Sequence, residues 1–241
     1  MSQPTYGILG GMGPMASAEF LKTIYECSLS GREQDSPVVL LYSDPTFPDR
    51  TEELLAGRDE VLLQQLTEAI SRLSSCNASK IVICCMTIHY LVPRLPAKLQ
   101  ADIWSMLDVI AENIKTDRKH LLICSEGTRR LKLFENHPRW ELLREHLIMP
   151  GDEDQMRIHR ELIYPIKTDP NLAPSVSLLD TMLEKYGVDS FVAGCSEIHV
   201  LTKYLLAHKN GKTYRYIDPL TIIAQRMSEN CDDSRKRCSA V

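Results

Sequence analysis

The chain has 241 residues, 44% of them hydrophobic and 25% charged, with 28 Lys and Arg against 32 Asp and Glu for a net charge of −4. That balance excludes a disordered or collagenous chain and a disulfide-dense miniprotein, and it offers no basic excess for nucleic acid or an anionic membrane. Such a length buries one large core or two small ones without staples, so a small-molecule partner is expected.

The first apolar run, residues 5–9, predicts a strand that ends at the turn Gly10-Gly11-Met12-Gly13-Pro14, with a helix over 16–27 behind it. A second strand at 38–42 runs into the Pro-rich turn Pro45-Thr46-Phe47-Pro48-Asp49-Arg50 and a helix over 51–74. The third, at 80–85, ends in Cys84-Cys85-Met86-Thr87-Ile88-His89 and precedes a helix over 97–114. A fourth at 120–124 leads through Ser125-Glu126-Gly127-Thr128 into helices over 127–134, 152–162 and 175–186. The fifth, 190–194, is followed by Cys195-Ser196-Glu197-Ile198-His199, and a last helix is predicted over 219–228. Strands alternating with helices imply parallel sheets covered on both faces, the α/β class. Ligands of such sheets collect beyond the carboxyl ends of the strands, so function is sought in the turns at those ends.

Two strand ends match. Cys-x-x-Ile-His occurs at 85–89 and again at 195–199, and 7–10 and 122–125 both close a strand before a glycine-containing turn. Chance likeness between two buried strands is the alternative, weakened by the shared Cys and His. The expectation is two similar domains, 1–105 with 215–241 and 106–214, related by a pseudo-twofold axis with the site between them. Each cysteine would then stand at a helix start, where unpaired N–H groups favour a thiolate.

The eight cysteines carry the remaining information. No basic start with a sustained apolar run marks the N-terminus, and no stretch approaches a membrane span, so the chain is read as cytoplasmic with reduced thiols. No CxxC occurs and Cys84-Cys85 is a poor ligand pair, so no metal is expected. Cys84 is assigned to core packing, with Cys27, Cys76 and Cys124, and Cys231 and Cys238 to a mobile polar tail. Gly11-Met12-Gly13-Pro14-Met15-Ala16 fits G-x-G-x-x-A, but no acidic residue follows at the dinucleotide spacing, so no cofactor is expected and the turn is read as an anion cradle.

Opposed thiols suit removal of a proton from one face of a carbon and delivery to the other, next to a carboxylate whose developing charge needs donors. The turn around Met12 and Gly13 and the hydroxyls of Thr87, Ser125, Thr128 and Ser196 are the candidates. His89 and His199 each fall one helical turn after a cysteine and are candidates for tuning the thiols.

Gly10-Gly11-Met12-Gly13-Pro14, Pro45-x-x-Pro48-Asp49-Arg50-Thr51, Cys85-x-Thr87-x-His89, Gly127-Thr128, Gly194-Cys195-Ser196-Glu197 and Ile217-Asp218-Pro219 together resemble the aspartate/glutamate racemase superfamily, and within it the aspartate racemase branch. The resemblance implies a cofactor-independent amino-acid racemase, Cys85 and Cys195 as its acid and base, and a homodimer. It also implies Arg50 and Lys167 as binders of the substrate's distal carboxylate. Glu197 is a candidate to orient the substrate's amino group or a histidine, with a plain helix cap as the alternative. The family has Asn after the first cysteine where Met86 stands here, at a position expected to touch substrate. A related isomerase, a decarboxylase, a racemase of a less polar amino acid, a Cys–His hydrolase and a ligand-binding relic are the alternatives.

Overall fold

The computed structural model describes residues 4–29, 32–208 and 212–239, with 232–239 as backbone alone. The α/β expectation holds. β1 (Thr5–Gly10), β2 (Val38–Ser43) and β3 (Lys80–Ile83) form a parallel sheet in the order β2-β1-β3. β4 (His120–Cys124), β5 (Leu147–Ile148), β6 (Ser190–Gly194) and β7 (Arg215–Ile217) form a second parallel sheet in the order β5-β4-β6-β7. Setting β4, β5 and β6 against β1, β2 and β3 gives the same strand order twice, as the repeated motif predicts.

Three apolar cores hold the sheets. Leu9, Ile81, Ile83 and Cys85 face one core on the outer side of the first sheet, with Leu62, Leu66 and Ile70 of helix Glu60–Ser75. Leu121, Ile123, Phe191 and Cys195 face another on the outer side of the second. The third lies between the sheets and takes Ile8, Val82 and Cys84 from one and Leu122, Cys124 and Val192 from the other. Side chains alternate along a strand, so adjacent Cys84 and Cys85 fall into different cores. Burial pushes the Cys84 thiol up, in keeping with a packing role. At the matching place Gly194 stands, because a Cβ there would meet Cys124 Cβ at 2.8 Å.

The tail differs from expectation. Residues 215–217, assigned to the first domain, pair with β6 in the second sheet, since Tyr216 and Ile217 find open partners in Phe191 and Val192. Helix Pro219–Ser239 then packs on helix Pro14–Cys27 and helix Met106–Asn113. Cys231, expected on a mobile tail, is buried in the core between the sheets; Cys238 lies outside the residues whose side chains are described. Among the described residues no helix is long and apolar enough to cross a membrane.

Several predicted helices are broken by local chemistry. The 51–74 run splits into Arg50–Leu55 and Glu60–Ser75 at Gly57, which has φ 69°. The 97–114 run splits into Ala97–Gln100 and Met106–Asn113 because Asp102 and Trp104 bond the backbone of Ile81, after which Ser105 caps the next helix through Asp108 N–H. The 152–162 run becomes helix Asp152–Arg157 and a π-helical turn, Ile158–Ile163, before Tyr164–Ile166. Such turns recur at functional sites.

Candidate active site

Each thiol is set by its strand end. β3 stops at Ile83, and the Cys85 N–H turns back to the Ile83 carbonyl at 2.8 Å before a 3₁₀ turn, Thr87–Arg94, begins. Cys195 follows β6 and leads through Ser196 into helix Glu197–Ala207. The glycine turn after β1 is shaped by close approach. Gly11 has φ 90° with the Asp44 backbone 2.3 Å from where a Cβ would stand, and Gly13 has φ 131° with Glu197 Oε1 at 2.4 Å from the same point. Only glycine fits either place.

The strand ends enclose one small cleft. Met12, Asp49, Arg50, Thr51, Cys85 and Thr87 line it from the first half, and Ser125, His159, Ile163, Tyr164, Lys167, Cys195 and Glu197 from the second. About 20 Å³ is open to a water-sized sphere, room for roughly one water. The cavities of about 590 Å³ beside Asp180 and Lys212 and of about 550 Å³ beside His89 and His137 are roomier, and neither has a cysteine in its wall.

Charge is placed unequally around the thiols. Cys195 Sγ donates to Glu197 Oε2 at 2.8 Å, and the Ser196 hydroxyl donates to the same oxygen at 3.2 Å. Burial, with the Glu197 carboxylate adding to it, pushes the Cys195 thiol well up. Glu197 Oε1 is buried without a hydrogen-bond partner, 3.8 Å from Lys167 Nζ. Burial pulls Lys167 down, but Glu197 and Cys195 outweigh it and hold the ammonium above its ordinary value. Its Nζ also stands 5.0 Å from the centre of the Tyr164 ring, a cation–π distance. On the facing wall Arg50 donates to the Phe47, Pro48 and Met12 carbonyls at 3.3, 3.0 and 3.3 Å, which aims it at Cys85 and leaves its buried Nε unpartnered.

Hydroxyls join the two walls. Thr87 Oγ1 meets Ser125 Oγ at 2.9 Å and Thr128 Oγ1 at 3.1 Å, and Ser125 Oγ also takes the Thr128 N–H at 3.1 Å. Thr128 thus stands behind the lining, holding Thr87 and Ser125 in place.

Of the expected site residues, Gly13, Thr128 and Ser196 support the lining without being part of it, and Met86, His199 and His89 lie elsewhere. Met86 is buried in the core between the sheets rather than in the cleft, because it turns to the same side as Cys84. His199 turns away from Cys195: its Nδ1 meets Asp218 Oδ2 at 2.7 Å and its Nε2 meets Thr23 Oγ1 at 3.0 Å. Asp218 takes further hydrogen bonds from Thr202 and Thr221. Burial alone would raise its pKa, but His199 and the two hydroxyls hold it at about 2. His89 reaches Cys85, though at its carbonyl and not its sulfur: Nδ1 lies 2.8 Å from Cys85 O. A carbonyl only accepts, so Nδ1 carries the proton. Burial holds the imidazole below its ordinary value, hence neutral, and Nε2 has no partner.

His159, Ile163 and Tyr164 escape sequence reasoning. The π-helical turn brings them to the wall that carries Lys167, with the His159 and Tyr164 rings 5.5 Å apart, edge to face. Burial keeps His159 below its ordinary value. Among the described residues no His, Cys, Asp and Glu cluster could hold a metal ion.

Residues 9–227 match the family model described as Asp/Glu/Hydantoin racemase. Among solved structures, the chain is similar to Picrophilus torridus aspartate racemase at a TM-score of 0.77 and 20% identity, over 95% of this chain and 94% of that one. Glutamate racemase from Campylobacter jejuni aligns at 0.57 and 14% identity, over 93% and 85%. Allantoin racemase from Klebsiella pneumoniae aligns at 0.55 and 13%, over 94% and 86%. At such identities the likenesses show a shared fold.

Proposed function

Because the chain belongs to the Asp/Glu/Hydantoin racemase family, we propose that it is a cofactor-independent racemase of an acidic amino acid, aspartate before glutamate, moving the α-proton between Cys85 and Cys195. One observation carries the reading: two thiols from opposite halves line a single cleft with Arg50, Lys167 and Glu197. Asp49, the other carboxylate on the wall, is engaged in capping helix Arg50–Leu55; Arg50, Lys167 and Glu197 are then the complement of a substrate with two carboxylates and one ammonium. A neutral cyclic ureide would bring no charge to Arg50, Lys167 or Glu197, leaving the buried guanidinium without a carboxylate from the ligand.

In this scheme one sulfur takes the α-hydrogen while the other delivers its own proton to the opposite face. The carbanion's charge spreads into the adjacent carboxylate, which needs donors already in place. Thr87, Ser125 and the unpartnered Arg50 Nε supply them. Glu197 Oε1, buried without a hydrogen bond and 3.8 Å from Lys167 Nζ, is the acceptor for the ammonium. The closed cleft is too small for aspartate, so binding requires it to open; Tyr164, 48% exposed, is the most accessible part of its wall. Met86 lies away from the substrate, so its departure from the family pattern leaves acidic substrates admissible.

The test is proton NMR of the purified chain in D₂O with L- and D-aspartate and L- and D-glutamate. Loss of the α-proton signal, with growth of the opposite enantiomer on chiral chromatography of the same samples, is expected for aspartate first. Unchanged α-protons in all four would sink the proposal.

A further inference from the structure

Cys85 and Cys195 are buried almost equally, at 6% and 8% exposure, yet they face opposite charges. Cys85 has the Arg50 guanidinium as its neighbour, and Cys195 donates to Glu197 Oε2 at 2.8 Å. Glu197 is itself 3% exposed, with its second oxygen unpartnered and pressed over Gly13. This carboxylate has one oxygen engaged by a thiol and the other without a hydrogen bond, 3.8 Å from Lys167 Nζ.

We infer that Glu197 is a positioning residue that gives the empty cleft a handedness: its Oε2 keeps Cys195 as the proton donor, Cys85 takes the first proton, and Oε1 receives the substrate's ammonium. The inference rests on the racemase reading and adds to it the residue that sets the starting protonation. Other charged or titratable groups face the same space: Lys167, His159 and Tyr164 from the second half, and Arg50, Asp49 and Cys85 from the first. Of these groups and Glu197, it is the Glu197 carboxylate that accepts the Cys195 S–H. Burial and the carboxylate both favour the thiol form there.

The protons balance in each direction. As the α C–H bond breaks, an S–H bond forms on Cys85; the Cys195 S–H bond breaks as a C–H bond forms on the opposite face. Cys195 is then an anion beside a second anion in a buried site, an unfavourable pair. It regains a proton from water and Cys85 releases one, which restores the starting form. The opposite enantiomer must meet the disfavoured form. Enantiomers have equal free energies, so kcat/KM is the same both ways, and the bias shows only in how kcat and KM divide between the two directions.

Alkylation of the substrate-free chain by iodoacetamide, read by peptide mass spectrometry, tests this without turnover. At about pH 8, Cys85 is expected to react at least about tenfold faster than Cys195, because the thiolate is the nucleophile. Glu197→Gln should raise the Cys195 rate about tenfold and leave Cys85 within about twofold, and Glu197→Asp should return Cys195 toward the slow rate. Equal rates at the two thiols of the native chain, or a Cys195 rate unmoved by Glu197→Gln, would overturn the inference. If Glu197→Gln does not fold, the native chain decides: Cys195 labelling must rise at higher pH than Cys85 labelling, and coincident profiles refute the role. Deuterium exchange tests the racemase reading separately, so either can fail while the other stands.

Discussion

The segments 85–89 and 195–199 share Cys-x-x-Ile-His and behave differently. After Cys85 the chain tightens into a 3₁₀ turn and His89 folds back onto the carbonyl of its own cysteine. After Cys195 it runs as an α-helix, and His199 leaves the site to close a buried network with Asp218 and Thr23. The thiols diverge as well, one beside a guanidinium and the other bonded to a carboxylate. A repeated motif places equivalent atoms at equivalent strand ends. The role of those atoms depends on partners supplied from outside the repeat, and Asp218 and Thr23 are offered to one histidine only.

The comparison breaks most directly at the sulfurs. Cys85→Ser and Cys195→Ser should each lower racemisation by about 10³-fold or more, since each removes a proton-transfer group worth roughly 10²–10⁴. Full activity in either variant, by polarimetry on aspartate, would mean that the two strand ends are not paired in function.

Next come the histidines. His199→Phe leaves Asp218 buried without its main partner and should destabilise the fold by about 3 kcal/mol, read from the urea midpoint. An unchanged midpoint would remove the distinction between the two motifs.

Acid should expose the same network. Asp218 is held at about 2 against an ordinary 3.8, so the folded state binds fewer protons than the unfolded chain over that interval. The contribution, about 2 kcal/mol, is complete above about pH 4 and is lost as pH falls through about 2. The slope of stability against pH in this window should flatten in His199→Phe.

The smallest effect is expected at His89. His89→Leu removes one neutral hydrogen bond, at a cost of about 1 kcal/mol, and it also removes an unpartnered nitrogen that offsets part of that cost. Thermal unfolding should therefore shift less than for His199→Phe, and kcat should fall only a few-fold as the Cys85 peptide loses its anchor.

Much of the cleft is legible in the sequence because it sits where parallel strands end. Met12, Arg50, Cys85, Thr87, Ser125, Cys195 and Glu197 line it there, while Lys167, which follows helix Tyr164–Ile166, is reached through the family resemblance. The illegible parts have physical causes. β5 has two residues and β7 three, too short for a hydrophobic pattern to register. His159 and Tyr164 reach the site through a π-helical turn, which shifts side-chain facing relative to the 3.6-residue period. Met86 is expected in the site from its neighbours in sequence, whereas alternation at the strand end turns it into the core.

The sequence by itself determined the alternation of buried strands and helices, the repeat, and the two cysteines at matched strand ends, because burial and periodicity are local properties of the chain. Only the tertiary structure decided which charge each thiol meets. Arg50, Lys167, Glu197 and Gly13 are distant along the chain, and hydrogen bonds and ion contacts depend on separations of a few ångströms that exist once both sheets have packed on their shared core.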